Sequence, residues 1–153
     1  LIRRQRQMCI RDRNTVKEIM MAALQKGACD KSYGVSDWKT LVWLFFTPQG
    51  IEFCEKNNFP PIETFREMSN DIANYCVFVD TKNVKRSNDT NIALIGNTNA
   101  ELVFDDNTRV HKVILMHGAR AIIVARNYAV IRLINIRNCH VEINKDKTSV
   151  ILK

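Results

Sequence analysis

The chain has 153 residues, a formal net charge of +7 and a hydrophobic fraction of 46%. This length permits one domain, or a small helical part joined to a small β part. The sequence contains no apolar run of about 18 residues and no signal-peptide pattern, so we expect no membrane span and a cytoplasmic protein.

Residues 1–13 differ in composition from the rest of the chain. They hold five arginines and one aspartate, which supply +4 of the net charge of +7 and leave +3 for the remainder. The string Met8-Cys-Ile-Arg-Asp12 resembles translated sequencing-adaptor sequence fused to metagenomic open reading frames. We therefore expect a non-native leader here, with a basic nucleic-acid arm or a transit peptide as the alternatives. Because the remainder is only mildly basic, the pI by itself does not indicate nucleic-acid binding.

The helical period dominates from residue 14 to about residue 74, so we expect a small helical block there. The second of its helices begins at Ser36 and is the most strongly amphipathic segment of the block. Thr47 followed by Pro48 is a cap with proline at the first helical position, which predicts a third helix. A fourth helix is marked by the apolar residues Ile62, Phe65, Met68 and Ile72.

Aromatic residues are concentrated in the second predicted helix. At helical spacing such rings usually pack in a core between helices, and we expect most of them to do so. If the block also docks a protein partner, the candidate contacts are Trp38, Trp43 and Phe46.

From residue 75 to residue 153 short apolar runs alternate with turn residues. The runs are short and rich in β-branched types, which favours strands over helices. The Asn, Asp and Gly residues between them tolerate the left-handed backbone of tight turns. The predicted strands cover residues 75–79, 92–95, 100–104, 110–116, 120–125, 129–136, 140–143 and 149–152.

Two architectures fit this ladder. In a parallel β-solenoid each strand stacks on the corresponding strand of the next coil. In an antiparallel sandwich or meander the same turns would be hairpin loops. We favour the short solenoid because the turns lack an Asn-Gly or Asp-Gly pair and because small residues recur near strand starts. The predicted class is therefore α+β, with a helical block at residues 14–74 and an all-β ladder at residues 75–153.

Residues 80–91 are polar and predict a long exposed loop or a boundary between the two parts of the chain. Its basic residues lie close together, and further basic residues sit beside the turns of the ladder, so one edge could bind phosphate or another anion. A solvated surface explains the same residues equally well. The candidates for this edge are Lys82, Lys85, Arg86, Arg109, Arg120, Arg126 and Arg137.

Five strings along the chain are Thr47-Pro-Gln-Gly-Ile-Glu-Phe-Cys54, Asn58-Phe-Pro60, Thr64-Phe-Arg66, Val77-Phe-Val-Asp80 and Asn91-Ile-Ala-Leu-Ile-Gly-Asn97. Together they resemble a group of small uncharacterised proteins encoded by gut-bacterial phages and mobile elements. The resemblance covers most of residues 14–153. It implies a genetic context, but no catalytic residue, because no activity is established for that group.

Motifs of enzyme chemistry are absent from the sequence. It contains no glycine-rich phosphate loop, no His-Glu-x-x-His, no Gly-x-Ser-x-Gly and no Cys-x-x-Cys pair. His111, His117 and His140 fall in or beside strands, and stacked coils could bring two of them together around a metal ion. We expect them instead at turns and on exposed strand faces. No catalytic residue, metal or cofactor is therefore expected.

These observations favour a non-enzymatic structural or protein-interaction module of phage or mobile-element origin. The helical block would dock a protein partner, and the ladder would be a rigid scaffold or an oligomer interface because its faces look too apolar to be left open. We expect a protein partner or self-association and no membrane contact. The alternative is a protein that binds nucleic acid or a small anionic ligand along the basic edge.

Overall fold

The structure is a computed structural model that describes residues 15–28 and 34–153. The leader predicted for residues 1–13 lies outside the described residues. The chain divides into two compact units, Leu1–Thr64 and Phe65–Lys153. Helices come first along the chain and a β ladder follows, so the predicted α+β class is confirmed.

The described part of the first unit contains helix α1 over residues 15–25, α2 over Trp38–Phe46 and α3 over Pro48–Asn57. Asp37 caps α2, because its carboxylate accepts a hydrogen bond of 2.8 Å from the amide of Thr40. Thr47 ends α2 and caps α3, where its hydroxyl accepts a hydrogen bond of 3.1 Å from the amide of Gly50. Pro48 follows at the first position of α3, as the sequence predicted.

Three short helical segments follow, namely α4 over Ile62–Glu67, α5 over Ser69–Ile72 and a 3-10 turn over Ala73–Tyr75. The prediction of one continuous helix through this stretch is wrong. The helix is interrupted at Met68, whose φ of −97° and ψ of 6° leave the helical region. Phe65, Met68 and Ile72 are nevertheless all buried, so the apolar stripe continues through the break.

Nine strands follow the helical segments in chain order, and they are β1 (Val77–Val79), β2 (Val84–Ser87), β3 (Asn91–Ile95), β4 (Asn99–Phe104), β5 (Val110–Met116), β6 (Arg120–Ala125), β7 (Val130–Asn135), β8 (His140–Lys145) and β9 (Val150–Leu152). They form two sheets, sheet A in the order β1-β3-β5-β7-β9 and sheet B in the order β2-β4-β6-β8. Neighbouring strands are parallel throughout both sheets. The ladder is a parallel β-solenoid of about four turns with two strands per coil, so the favoured architecture is confirmed and the antiparallel alternative is wrong.

Successive coils differ in length. Val77 aligns with Ala93 across the first coil, which is the shortest. Ala93 then aligns with Ile114, and Ile114 aligns with Ile134, across longer coils that are nearly equal to each other. This nearly constant repeat determines which side chains stack on one another in the later coils.

The hydrophobic core lies between the two sheets. Sheet A contributes Leu94 and Leu115, and sheet B contributes Leu102 and Ile123, all fully buried. Alanines also point into this space, including Ala121, and allow the two sheets to approach closely. Each strand pairs with the corresponding strand of the next coil. Every coil therefore adds one apolar layer to a continuous core.

The outer faces of the two sheets differ. On sheet A, residues in the second half of the strands are buried, such as Ala93 and Ile114, while Val110 and Val150 in the first half are 52% and 46% exposed. On sheet B, the outward residues of β4, β6 and β8 are exposed or half-buried. Sheet B therefore presents a broad open surface.

One corner of the solenoid repeats from coil to coil. Asp80, Gly96, His117 and Arg137 follow successive strands of sheet A, and their φ angles are 49°, 68°, 56° and 63°. This left-handed conformation is comfortable for glycine but costs other L-residues roughly 1 kcal/mol or more. The corner therefore imposes this conformation on Arg137, whose type does not favour it, and on Asp80 and His117, whose types adopt it more readily.

The prediction of a long exposed loop at residues 80–91 is wrong, because β2 lies within it over Val84–Ser87. Val84 is the one buried residue of β2, and the rest of the strand is exposed. An edge strand with one buried side chain carries no apolar alternation, which is why the sequence did not reveal it.

Candidate protein-interaction surface

The outer face of sheet B is an ordered array of side chains, because residues aligned across parallel strands stack in rows. Row 1 contains Asn99, Arg120 and His140. Row 2 contains Lys85, Glu101, Ile122 and Glu142. Row 3 contains Ser87, Val103, Val124 and Asn144.

These rows place unlike charges next to each other. Arg120 lies in row 1, and two positions further along its strand Ile122 lies in row 2, flanked by Glu101 on β4 and Glu142 on β8. Ile122 is 38% exposed, which is high for a large apolar side chain. A shallow depression of about 280 Å³ covers rows 1 and 2 and includes all four of these side chains. The array combines an accessible apolar centre with a fixed pattern of charge.

The basic residues predicted to form one edge are distributed over three places. Lys85 and Arg120 lie on the outer face of sheet B, as described above. Lys82 and Arg137 are exposed near the corner that follows the strands of sheet A. The remaining three are Arg86, Arg109 and Arg126. They lie in the turns that lead from sheet B back to sheet A, or at the strand ends beside those turns.

Each of these three arginines pairs with an aspartate. Arg86 donates to Asp89 through Nε and Nη2, both at 2.9 Å, and these bonds raise the pKa of Arg86. Arg109 Nε lies 3.0 Å from Asp106, and Arg126 Nη2 lies 3.6 Å from Asp105. The arginine charges along these turns are thus matched by carboxylates, which weakens the attraction of this edge for a phosphate.

The three histidines are not brought together. His111 is fully buried, contrary to the prediction of an exposed position, and its ring lies 4.9 Å from that of Phe104. Its Nδ1 and Nε2 atoms lie 2.9 Å and 3.0 Å from the backbone oxygens of Asp89 and Asp106. His111 therefore joins two successive turns. Its buried position follows from the inward direction of alternate β5 residues.

The other two histidines have separate surroundings. His117 lies at the repeated corner, with its ring edge-to-face to Phe65 at 5.8 Å. His140 is exposed in row 1 on sheet B. Among residues 15–28 and 34–153, no group of three or more His, Cys, Asp or Glu side chains is arranged to hold a metal ion.

The described cysteines of the two units are free thiols, and Cys54 and Cys139 are buried. Burial raises the pKa of Cys54 to about 12, so its thiol stays protonated at neutral pH and is a poor nucleophile. Cys76 is partly exposed, and burial followed by the charge of Asp89 raises its pKa as well. Cys54 and Cys139 act as small apolar residues, whereas the sulfur of Cys76 lies 3.6 Å from Arg86 Nη2 and 3.8 Å from Asp89 Oδ1.

The predicted partner contacts in α2 do not share one surface. Trp38 and Phe46 are 8% and 7% exposed, whereas Trp43 is 68% exposed. Trp38, Val42 and Phe46 recur at every fourth position and form the buried stripe of the helix. Only Trp43 of the three candidates is available at the surface.

Sequence reasoning missed the acidic and apolar part of the array on sheet B, namely Glu101, Ile122 and Glu142. A signal was present, because these positions recur at a nearly constant spacing along the chain, one in each coil. Recognising it required the register between successive coils, which the positions of the turns alone do not give.

Comparison with known proteins gives no match for this chain among protein-family models, curated proteins or solved structures. None of the helices in the described part of the chain is both long enough and apolar enough to cross a membrane.

Proposed function

We propose that this chain is a non-enzymatic structural module that associates with a second copy of itself through the outer face of sheet B. The observation that carries the proposal is the arrangement of rows 1 and 2, in which Arg120 and His140 lie beside Glu101 and Glu142. A two-fold interface requires a surface that is complementary to itself. Neighbouring rows of unlike charge meet that requirement.

The geometry of the pairing follows from the rows. A two-fold axis that lies in the interface, perpendicular to the strands and between rows 1 and 2, places row 1 of each copy over row 2 of the other. Arg120 then faces Ile122 of the second copy, between Glu101 and Glu142. His140 faces Glu142. Both charged rows gain partners, and the exposed isoleucines are covered.

The size of the array sets the strength of this contact. Four strands about 4.8 Å apart and the two facing rows about 6.6 Å apart give a mutually covered face of about 250 Å². Each partner in a standard interface contributes about 800 Å². We therefore expect a weak dimer whose dissociation constant is on the order of 100 µM.

A pair of charge-reversed variants tests the proposal. Arg120→Glu alone places a carboxylate between Glu101 and Glu142 of the second copy, and Glu101→Arg/Glu142→Arg alone surrounds Arg120 with arginines. Each variant should be monomeric by sedimentation equilibrium. Their equimolar mixture should dimerise, because every reversed charge then meets an opposite charge across the interface.

The control is Lys82→Glu, which makes the same change in charge as Arg120→Glu but at the corner that follows β1. It should dimerise like the native chain. Failure of the mixture to associate while both variants retain their thermal unfolding midpoints would contradict the proposed interface. Equal loss of association in Lys82→Glu would show that net charge alone was responsible.

A further inference from the structure

The last coil of the solenoid has an open strand edge. In the described part of the chain, β8 is the terminal strand of sheet B and pairs with β6 alone. His140 directs its amide towards β6, where the backbone oxygen of Ala119 accepts it at 3.3 Å. Backbone groups alternate in direction along a parallel strand. Val141 and Ile143 therefore present their N–H and C=O groups on the side that faces away from β6.

Core side chains are partly exposed at the same end of the solenoid. Val141 and Ile143 on β8 and Ile151 on β9 pack against the core but are only partly buried. At the aligned positions of the preceding coil, Ala121 and Ile123 are 3% and 0% exposed. The difference arises because each coil is covered by the next one. A further strand on β8 would bury Val141 and Ile143 in the same way.

The outward side chain of Glu142 selects among the strands that this edge can accept. Charged residues on an exposed edge discourage indiscriminate pairing with other chains. Glu142 lies between Val141 and Ile143 and aligns with Ile122 on β6. A strand added to the free side of β8 places one residue directly over Glu142, at a strand separation of about 4.8 Å. A lysine or arginine at that position forms an opposite-charge cross-strand pair.

We propose that the free edge of β8 binds an extended protein segment with the pattern apolar–basic–apolar, which adds a fifth strand to sheet B. The two apolar residues face inwards and cover Val141 and Ile143, and the basic residue faces outwards over Glu142. The two kinds of side chain lie on opposite faces because neighbouring residues of a strand alternate in direction. The backbone of the segment supplies partners for the outward N–H and C=O groups of β8.

The opposite edge of sheet B does not offer the same site. There β2 carries Lys85 in row 2, at the position that Glu142 occupies on β8. A basic residue added over Lys85 would meet a like charge. Nor does β2 of a second copy fit the edge of β8. In the register of sheet B it would place Lys85 over Glu142, but it would also place Arg86 over the apolar Ile143.

The test uses the full chain and the fluorescently labelled peptide Val-Thr-Val-Lys-Val-Thr-Val, with binding followed by fluorescence anisotropy. We expect saturable binding. In either strand direction only alternate amides of the peptide face β8. One form of the peptide is N-methylated at the valine amides and another at the lysine and threonine amides. One form should bind at least about tenfold more weakly than the parent peptide, and the other should bind within about threefold of it.

Charge exchange tests the position over Glu142. Glu142→Lys should weaken binding about fivefold. A peptide with glutamate in place of lysine should bind this variant more tightly than it binds the native chain. Glu101→Lys is the matched control, because it makes the same change in the same row but two strands away from the edge. It should retain binding of the lysine peptide within about twofold.

The result is independent of the proposed dimer, because Arg120→Glu should bind the lysine peptide within about threefold of the native chain. Absence of saturable binding, equal affinities of the two methylated peptides, or equal weakening by Glu142→Lys and Glu101→Lys would overturn the proposal. An Arg120→Glu chain that self-associates, and that loses this association on Ile143→Lys, would overturn it in favour of a second copy at the edge.

Discussion

The guanidinium of Arg86 lies over the ring of Phe78, with Cζ 5.9 Å from the ring centroid. Phe78 belongs to β1 and Arg86 to β2, which are the edge strands of the two sheets at the first coil. Phe78 packs on the core between the sheets and is only partly buried. Arg86 therefore covers the core at the first-coil end of the solenoid, where no preceding coil is stacked on β1 and β2. The ion pair with Asp89 fixes the guanidinium in this position.

Replacement of Arg86 by alanine tests this covering role. We expect Arg86→Ala to lower the free energy of unfolding by about 1 kcal/mol, from the lost cation–ring contact and the lost ion pair. Urea unfolding followed by circular dichroism measures this change. Lys85→Ala on the same strand is the control and should change stability by less than about 0.5 kcal/mol. Equal effects of the two variants would contradict the role given to Arg86.

The buried ring of His111 should contribute more to stability. His111→Ala leaves a cavity beside Phe104 and removes the ring that bridges the backbone oxygens of Asp89 and Asp106. We expect a loss of about 2–4 kcal/mol in the free energy of unfolding, measured by urea denaturation. His140→Ala, at an exposed position, serves as the control. A loss below about 1 kcal/mol for His111→Ala would indicate that the ring does not join the two turns.

The repeated left-handed corner gives a prediction in the opposite direction. Arg137 has a φ of 63°, so Arg137→Gly should raise the free energy of unfolding by about 0.5–1 kcal/mol. Arg137→Ala keeps the unfavourable conformation and should not stabilise the protein. Thermal unfolding of both variants separates the effect of the backbone from loss of the arginine side chain. A glycine variant no more stable than the alanine variant would count against strain at this corner.

Much of the fold could be predicted from the sequence because the interior of a solenoid repeats. The β-branched runs that became β5 and β6 have the predicted bounds, since both are apolar for most of their length. β2 was missed because a first-coil edge strand buries only Val84. A turn after the strand predicted at residues 129–136 was expected, but the left-handed φ of Arg137 could not be read, since arginine does not favour it.

The surfaces were harder to predict than the core. The array around Ile122 exists only when corresponding positions of successive coils are aligned, and that register emerges from the lengths of the turns. Three of the arginines predicted to form a basic edge, Arg86, Arg109 and Arg126, meet aspartates, and Asp89 lies close in sequence to Arg86. In α2 the information was available, because Trp43 lies outside the stripe that contains Trp38 and Phe46.

Acid should destabilise the solenoid through the aspartates of its turns. Hydrogen bonds from the side chain and then the backbone of Thr108 lower the pKa of Asp106 to about 2. The pKa of Asp146 is also lowered, and its largest cause is the hydrogen bond from the hydroxyl of Thr148. Because the folded-state pKa values lie below those of the unfolded chain, these carboxylates stabilise the fold above about pH 4, and the contribution is lost as the pH falls towards 2.

The variant Asp106→Asn/Asp146→Asn checks this pH dependence. The amide oxygen can still accept the hydrogen bonds that Thr108 and Thr148 donate to Oδ1, but the side chain no longer titrates. We expect the thermal unfolding midpoint of this variant to fall less between about pH 4 and pH 2 than that of the native chain. Parallel curves for the two proteins would mean that other groups control the acid response.

Self-association through the outer face of sheet B is the central claim, and the mass of the full chain in solution tests it most directly. Light scattering at concentrations from about 10 µM to 1 mM brackets the expected dissociation constant. We predict a mass that rises with concentration from the 17.7 kDa of one chain towards twice that value, and an Arg120→Glu chain that remains at 17.7 kDa throughout. A native chain that stays at 17.7 kDa over the whole range, or a dimer that Arg120→Glu leaves intact, would contradict the claim.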